Sequence, residues 1–151
     1  MIAWAYLDKK AAAVDALKDY VAMEFIIINH EDVEKELRES MTSVRSSSPA
    51  GMPYNPDLKR GEARIAARID EIDILKERYR SAVEYMAWFK PAWDELKEEE
   101  QIVLSEFYLH NDNSQEDSVG RICNRFRIER SSAYNKKNRA LARLTILLYG
   151  R

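Results

Sequence analysis

A single cysteine, Cys123, stands in 151 residues, so no internal disulfide can form. The two histidines, His30 and His110, are isolated, and no metal-ligand cluster is readable around them. Four glycines and four prolines are too few for a turn-rich all-β chain. No apolar run reaches the roughly 18 residues that span a bilayer, and Met1 is not followed by a basic then apolar leader. The expectation is a cytoplasmic chain without a membrane partner. No nucleophile with an accompanying base is recognisable either. Cys123 has no His or Asp motif beside it and reads as a core residue. No catalytic residue, metal or cofactor is expected, and the chain does not read as an enzyme.

What is present favours helix. Ala, Leu, Glu, Lys and Arg dominate, and charged residues make up 33% of the chain. Charge is divided between the two ends. From Ser118 to Arg151 there are nine Lys or Arg and one acid, Glu129, a balance of +8. The preceding 117 residues carry 15 bases and 25 acids, a balance of −10. A near-neutral total hides a cationic end suited to a polyanion.

Periodicity organises the rest. From Lys9 to about Val44 there is no Pro or Gly, and Val14, Leu17, Val21, Phe25 and Ile28 recur at helical spacing. Val33, Leu37, Met41 and Val44 continue that stripe, and Asn29-His30-Glu31-Asp32 is a candidate kink. Arg45–Asp57 is a Pro- and Ser-rich connector. Leu58–Phe89 is helical again, with a seam of Ile65, Ile69, Ile72, Tyr79, Val83, Met86 and Phe89. Two such helices across a connector predict an antiparallel hairpin; a parallel coiled-coil dimer is the rival. Pro91 kinks this helix or starts the next, which spans Ala92–Leu109. His30 and His110 read as surface or satisfied side chains, and Trp4, Trp88 and Trp93 as helix packing. Glu98-Glu99-Glu100 and Asp70, Glu71 and Asp73 read as solvated faces.

His110–Asp117 is a polar loop. Ser118 is the candidate cap of a helix over Val119–Phe126, with Val119, Ile122, Cys123 and Phe126 on one face. Arg127-Ile128-Glu129 connects it to a second helix from Arg130 to about Tyr149, whose inner stripe is Ala133, Ala140, Leu141, Leu144 and Leu148. Two helices joined by about three residues, the second long and basic, form a helix-turn-helix pattern. The fold class is therefore all-α: a long antiparallel helical hairpin at 1–90, then a helix-turn-helix domain at 91–151.

Ser118–Leu144 resembles the region-four domain of sigma-70-type factors and the sigma-like domain of ArpU- and RinA-type phage late-gene regulators. The resemblance is carried by Ile122-Cys123, Phe126-Arg127-Ile128, Glu129-Arg130-Ser131-Ser132-Ala133-Tyr134 and Arg139-Ala140-Leu141-Ala142-Arg143-Leu144. The upstream Leu96–Tyr108 is similar to the family's preceding helix. Three positions depart from the pattern. Arg127 replaces the turn glycine, Glu129 the capping Ser or Thr, and Lys136 an apolar residue. By position, the resemblance implies base reading by Arg130, Ser131 and Asn135. It implies phosphate contacts at Ser132 and Tyr134. Bidentate geometry agrees, since Arg grips guanine and Asn grips adenine. Lys137, Asn138 and Arg139 lie further along and suit phosphates.

The implied function is sequence-specific binding of double-stranded DNA by a transcriptional regulator, an activator of phage or prophage late genes in a bacterial host's cytoplasm. The hairpin is then a candidate contact for RNA polymerase and for homo-oligomerisation. The rivals are a phage DNA-packaging subunit resembling a small terminase, and a protein-interaction module with a basic tail.

Overall fold

The computed structural model describes residues 7–46, 57–110 and 114–150, and the described residues contain helices and no strand. The protein is all-α. Helix α1 is Lys9–Ser46 and α2 is Asp57–Glu95. Helix α3 is Glu98–Leu104, continued by a wider π turn over Ser105–Leu109. Helix α4 is Gln115–Phe126 and α5 is Arg130–Tyr149. Trp4 and most of the 45–57 connector lie outside the described residues.

The chain forms two compact units. One is Glu24–Glu84; the other joins the residues up to Met23 with those from Tyr85 onward. The sequence boundary at 90/91 therefore falls inside α2 and inside the second of these units.

In the unit Glu24–Glu84, α1 and α2 pack antiparallel. His30 stacks on Tyr79 with ring centroids 4.1 Å apart. Further along, Ser40 and Met41 of α1 share a groove with Ile65, Ala67 and Arg68 of α2. Positions rise along one helix as they fall along the other. The inward residues of α2 are Ile65, Ile72, Leu75, Tyr79 and Ala82. They repeat in sevens, as an antiparallel helix pair requires.

Two seam expectations are corrected here. Ile72 is buried at 5% exposure, but Ile69 is 47% exposed and Val83 is also exposed. On α1, Val21, Phe25, Ile28 and Val33 are exposed, Phe25 and Ile28 by 65% and 69%. The α1 seam runs instead through Ile27, His30, Glu34, Leu37 and Met41. The cause is that α1 is apolar on every side near residue 26, so several stripes share the helical period.

His30 is buried, not a surface residue. Its Nε2 lies 3.3 Å from Glu34 Oε2, while Nδ1 has no hydrogen-bond partner. Arg38 also bonds Glu34 at 2.7 Å and holds that carboxyl below its usual range. Asn29 does not interrupt α1. Its Nδ2 donates to the Phe25 carbonyl at 2.8 Å within an unbroken helix.

The other unit holds most of the core. One cluster joins Ala13, Ala16 and Leu17 of α1, Phe89, Ala92 and Trp93 of α2, Leu96, Leu104 of α3, and Ala140, Leu141, Leu144 and Leu148 of α5. Phe89 is at its centre, with Tyr20, Tyr85 and Trp93 rings at 5.5, 5.2 and 6.1 Å. The Tyr85 hydroxyl donates to the Ala16 carbonyl, and burial pushes its pKa well above the ordinary phenol range. Trp93 is buried in this packing; Trp88 is half-exposed and meets Tyr149 edge-on at 5.5 Å.

Pro91 does not end α2. The helix continues to Glu95, and the break comes at Leu96-Lys97. Gln101 Nε2 donates to the Trp93 carbonyl at 2.7 Å, and Glu100 Oε2 accepts the Lys97 N–H at 2.8 Å. These side chains satisfy backbone groups that helix ends leave open. They explain why one expected helix over Ala92–Leu109 is two.

Candidate nucleic-acid interface

A second, smaller cluster builds the helix-turn-helix. Val103, Val119, Ile122 and Ala133 are buried together, with Phe107, Cys123, Phe126, Ile128 and Tyr134 packed around them. Ala133 has no side chain beyond Cβ, so α5 can come close to α4. Cys123 is a half-buried packing residue.

The helix cap is not Ser118. Helix α4 begins four residues earlier than Val119, at Gln115, and Ser114 is its N-cap. Ser114 Oγ accepts the Asp117 N–H at 3.3 Å and donates to Asp117 Oδ2 at 3.0 Å. Ser118 is buried within α4 and donates its hydroxyl to the Glu106 carbonyl at 2.8 Å. That carbonyl lies in the π turn, where the regular helical ladder is broken. Arg121 Nε adds an ion pair to Glu106 Oε2 at 2.8 Å.

The turn adopts the conformation that its resembled glycine would favour. Arg127 has φ 53° and ψ 52°, the left-handed region. The Arg127 and Ile128 N–H groups both donate to the Cys123 carbonyl, closing α4. Glu129 precedes α5 in extended conformation and makes no side-chain cap bond.

The eight residues read as DNA contacts separate into two groups. Ser131, Asn135 and Asn138 recur at four and three residues on one exposed face of α5. Arg130 and Arg139 flank it and are also exposed. Ser132, Tyr134 and Lys137 are half-buried and turn toward the protein. The Tyr134 ring lies 6.1 Å from Phe107. The Lys137 ammonium sits over the Phe107 and Tyr134 rings at 5.0 and 5.5 Å. Burial, aided by the Lys10 charge, lowers its basicity.

The C-terminal cations are not equivalent. Lys136 lies 3.4 Å from Glu99 and 5.0 Å over the Phe126 ring, so a lysine serves at a position expected to be apolar. Arg143 pairs with Glu100 at 3.0 Å. With Arg121 on Glu106, three cations are answered by acids of α3 and its π turn. Arg125, Arg127, Arg130 and Arg139 have no ion-pair partner among the described residues. Arg125 and Arg127 were not assigned contacts from the sequence; their signal there was only the charge count. The Glu98–Glu100 run is thus partly a clamp on α5, not only a solvated face. No cluster of potential metal ligands occurs among the described residues, and no described helix is long and apolar enough to cross a membrane.

No family model matches this chain, and no curated protein or solved structure matches it significantly.

Proposed function

We propose that this protein is a sequence-specific DNA-binding transcriptional regulator that lays α5 in the major groove. The observation that carries the reading is the exposed face of α5. It places Ser131, Asn135 and Asn138 in line, with exposed Arg130 and Arg139 beside it, and exposed Arg125 and Arg127 precede α5 in the chain. Groove width admits one helix, and these side-chain types read base edges or hold phosphates. Arg130 and Asn135 are the base-reading pair; Arg139, Arg125 and Arg127 supply charge to the backbone. The resemblance to sigma region four and to phage late-gene regulators supports transcription, in a bacterial cytoplasm, as the setting. RNA polymerase and a second copy of the chain are proposed partners of the helical pair.

The test is selection of bound duplexes from a random pool, followed by titration of the full chain with the selected and a scrambled duplex. Arg130→Ala and Asn135→Ala are each expected to cost about 1–3 kcal/mol on the selected duplex and little on the scrambled one. No enrichment from the pool and no binding at low salt would overturn the reading.

A further inference from the structure

A surface feature 127 residues before Lys137 in sequence bears on the same face of α5. Lys10 of α1 and Lys137 and Asn138 of α5 line one crevice of about 330 Å³, walled by Tyr108, Val14 and Leu141. Lys10 and Asn138 are exposed, and Asn138 belongs to the row that contains Ser131 and Asn135. Lys10 thus meets this space from solvent at the edge of α5, and Lys137, with its ammonium over Phe107 and Tyr134, forms part of its wall. The charges of the two lysines act on each other, and Lys10 is the charge felt at Lys137.

The crevice also has two acids, Asp8 and Asp15. Asp8 is occupied, since its Oδ1 accepts the Ala11 N–H at 3.1 Å at the start of α1. Asp15 is an exposed residue on the α1 wall of the crevice. Neither acid is paired with Lys10 or Lys137 in an ion pair.

We infer that Lys10, with Lys137 and Asn138, holds a backbone phosphate of the duplex whose bases α5 reads. The inference rests on the DNA-binding reading above and extends it to the first helix. A phosphate would receive the Lys10 ammonium and the Asn138 amide, and would be attracted by the Lys137 charge in the wall, which relieves the repulsion between the lysines. Sequence alone places Lys10 in the acidic part of the chain. Only packing of the first turns of α1 beside α5 brings it to the interface.

The test uses Lys10→Ala in the full chain, because Lys10 is exposed and outside the core. Affinity for the selected and the scrambled duplex is measured by fluorescence anisotropy from about 50 to 200 mM KCl. Losing one phosphate contact lowers the slope of log K against log salt by about 0.9. The wild type should then lose roughly 3.5-fold more affinity than the variant across that range. Both duplexes should weaken alike at low salt, and Lys10→Glu should weaken them further. An unchanged slope in Lys10→Ala, with Arg130→Ala still impaired on the selected duplex, overturns the phosphate clamp and leaves the DNA reading standing. Failure of the wild-type chain to bind either duplex overturns both.

Discussion

Arg143 Nη1 lies 3.0 Å from Glu100 Oε2, and this contact joins α5 to the start of α3. Its second nitrogen donates to the Glu95 carbonyl, the last residue of α2, at 3.2 Å. One planar guanidinium therefore bridges both sides of the α2–α3 break, a geometry a lysine cannot copy.

Arg143 thus serves the fold. Arg143→Ala is expected to lower the melting temperature and leave the salt slope of DNA binding at the wild-type value. Arg143→Lys should recover little of the lost stability. A slope reduced by about 0.9 in Arg143→Ala would place this side chain on a phosphate.

Ser114, and not the expected Ser118, caps α4, while Ser118 bonds across to the Glu106 carbonyl. Ser118→Ala removes the donor to the part-buried Glu106 carbonyl, with an expected cost of about 1–3 kcal/mol. Ser114→Ala removes an exposed cap, and about 1 kcal/mol is expected. Denaturant titration of the two variants ranks them. A larger loss at Ser114 would mean that the hydroxyl of Ser118 contributes little.

Arg127 occupies a left-handed position that costs a non-glycine residue about 1–2 kcal/mol. Arg127→Gly relieves this, although glycine gives back roughly 0.5–1 kcal/mol in chain entropy. The expected outcome is a gain of up to about 1 kcal/mol, and a β-branched Arg127→Val should lose more than that. Melting both variants at high salt keeps the missing charge from confusing the comparison. A destabilised Arg127→Gly would show that the arginine side chain makes up for its backbone strain.

Ile72 and Ile69 sit one turn apart on α2 with opposite surroundings. Ile72→Ala should cost about 2–5 kcal/mol, as buried truncations do. Ile69→Ala should stay within about 0.5 kcal/mol, as exposed changes do. Equal losses would place Ile69 in an interface that burial within one chain does not reveal.

Sequence reading succeeded where small residues mark a close approach. Ala133, Ala140, Leu141, Leu144 and Leu148 are all buried, and α5 has the limits its pattern predicts. The row Ser131, Asn135 and Asn138 emerges only from the exposure of α5, since the sequence reading grouped Ser131 and Asn135 with Arg130 and set Asn138 apart. That reading missed the phase of α1, because an all-round apolar segment has no single moment and the true seam includes polar His30 and Glu34. It missed the inward turn of Lys137, since cation–π contacts to Phe107 and Tyr134 join different elements. It missed Ser118's bond because the π turn that exposes the Glu106 carbonyl has no local signature. The resemblance contributed the Gly-like position of Arg127, and the positive φ found there accords with it.

The division into units makes the segment Glu24–Glu84 an insertion within a body whose own core is closed by residues on either side of it. Its two helices pair in sevens, so matched removal of seven residues from each preserves the seam. Shortening the segment in this way should therefore leave the core contacts of α5 in place. The reverse holds at the start of the chain. Ala13, Ala16 and Leu17 belong to the core that steadies α5, so trimming the first helix would weaken the seat of a helix encoded more than a hundred residues later.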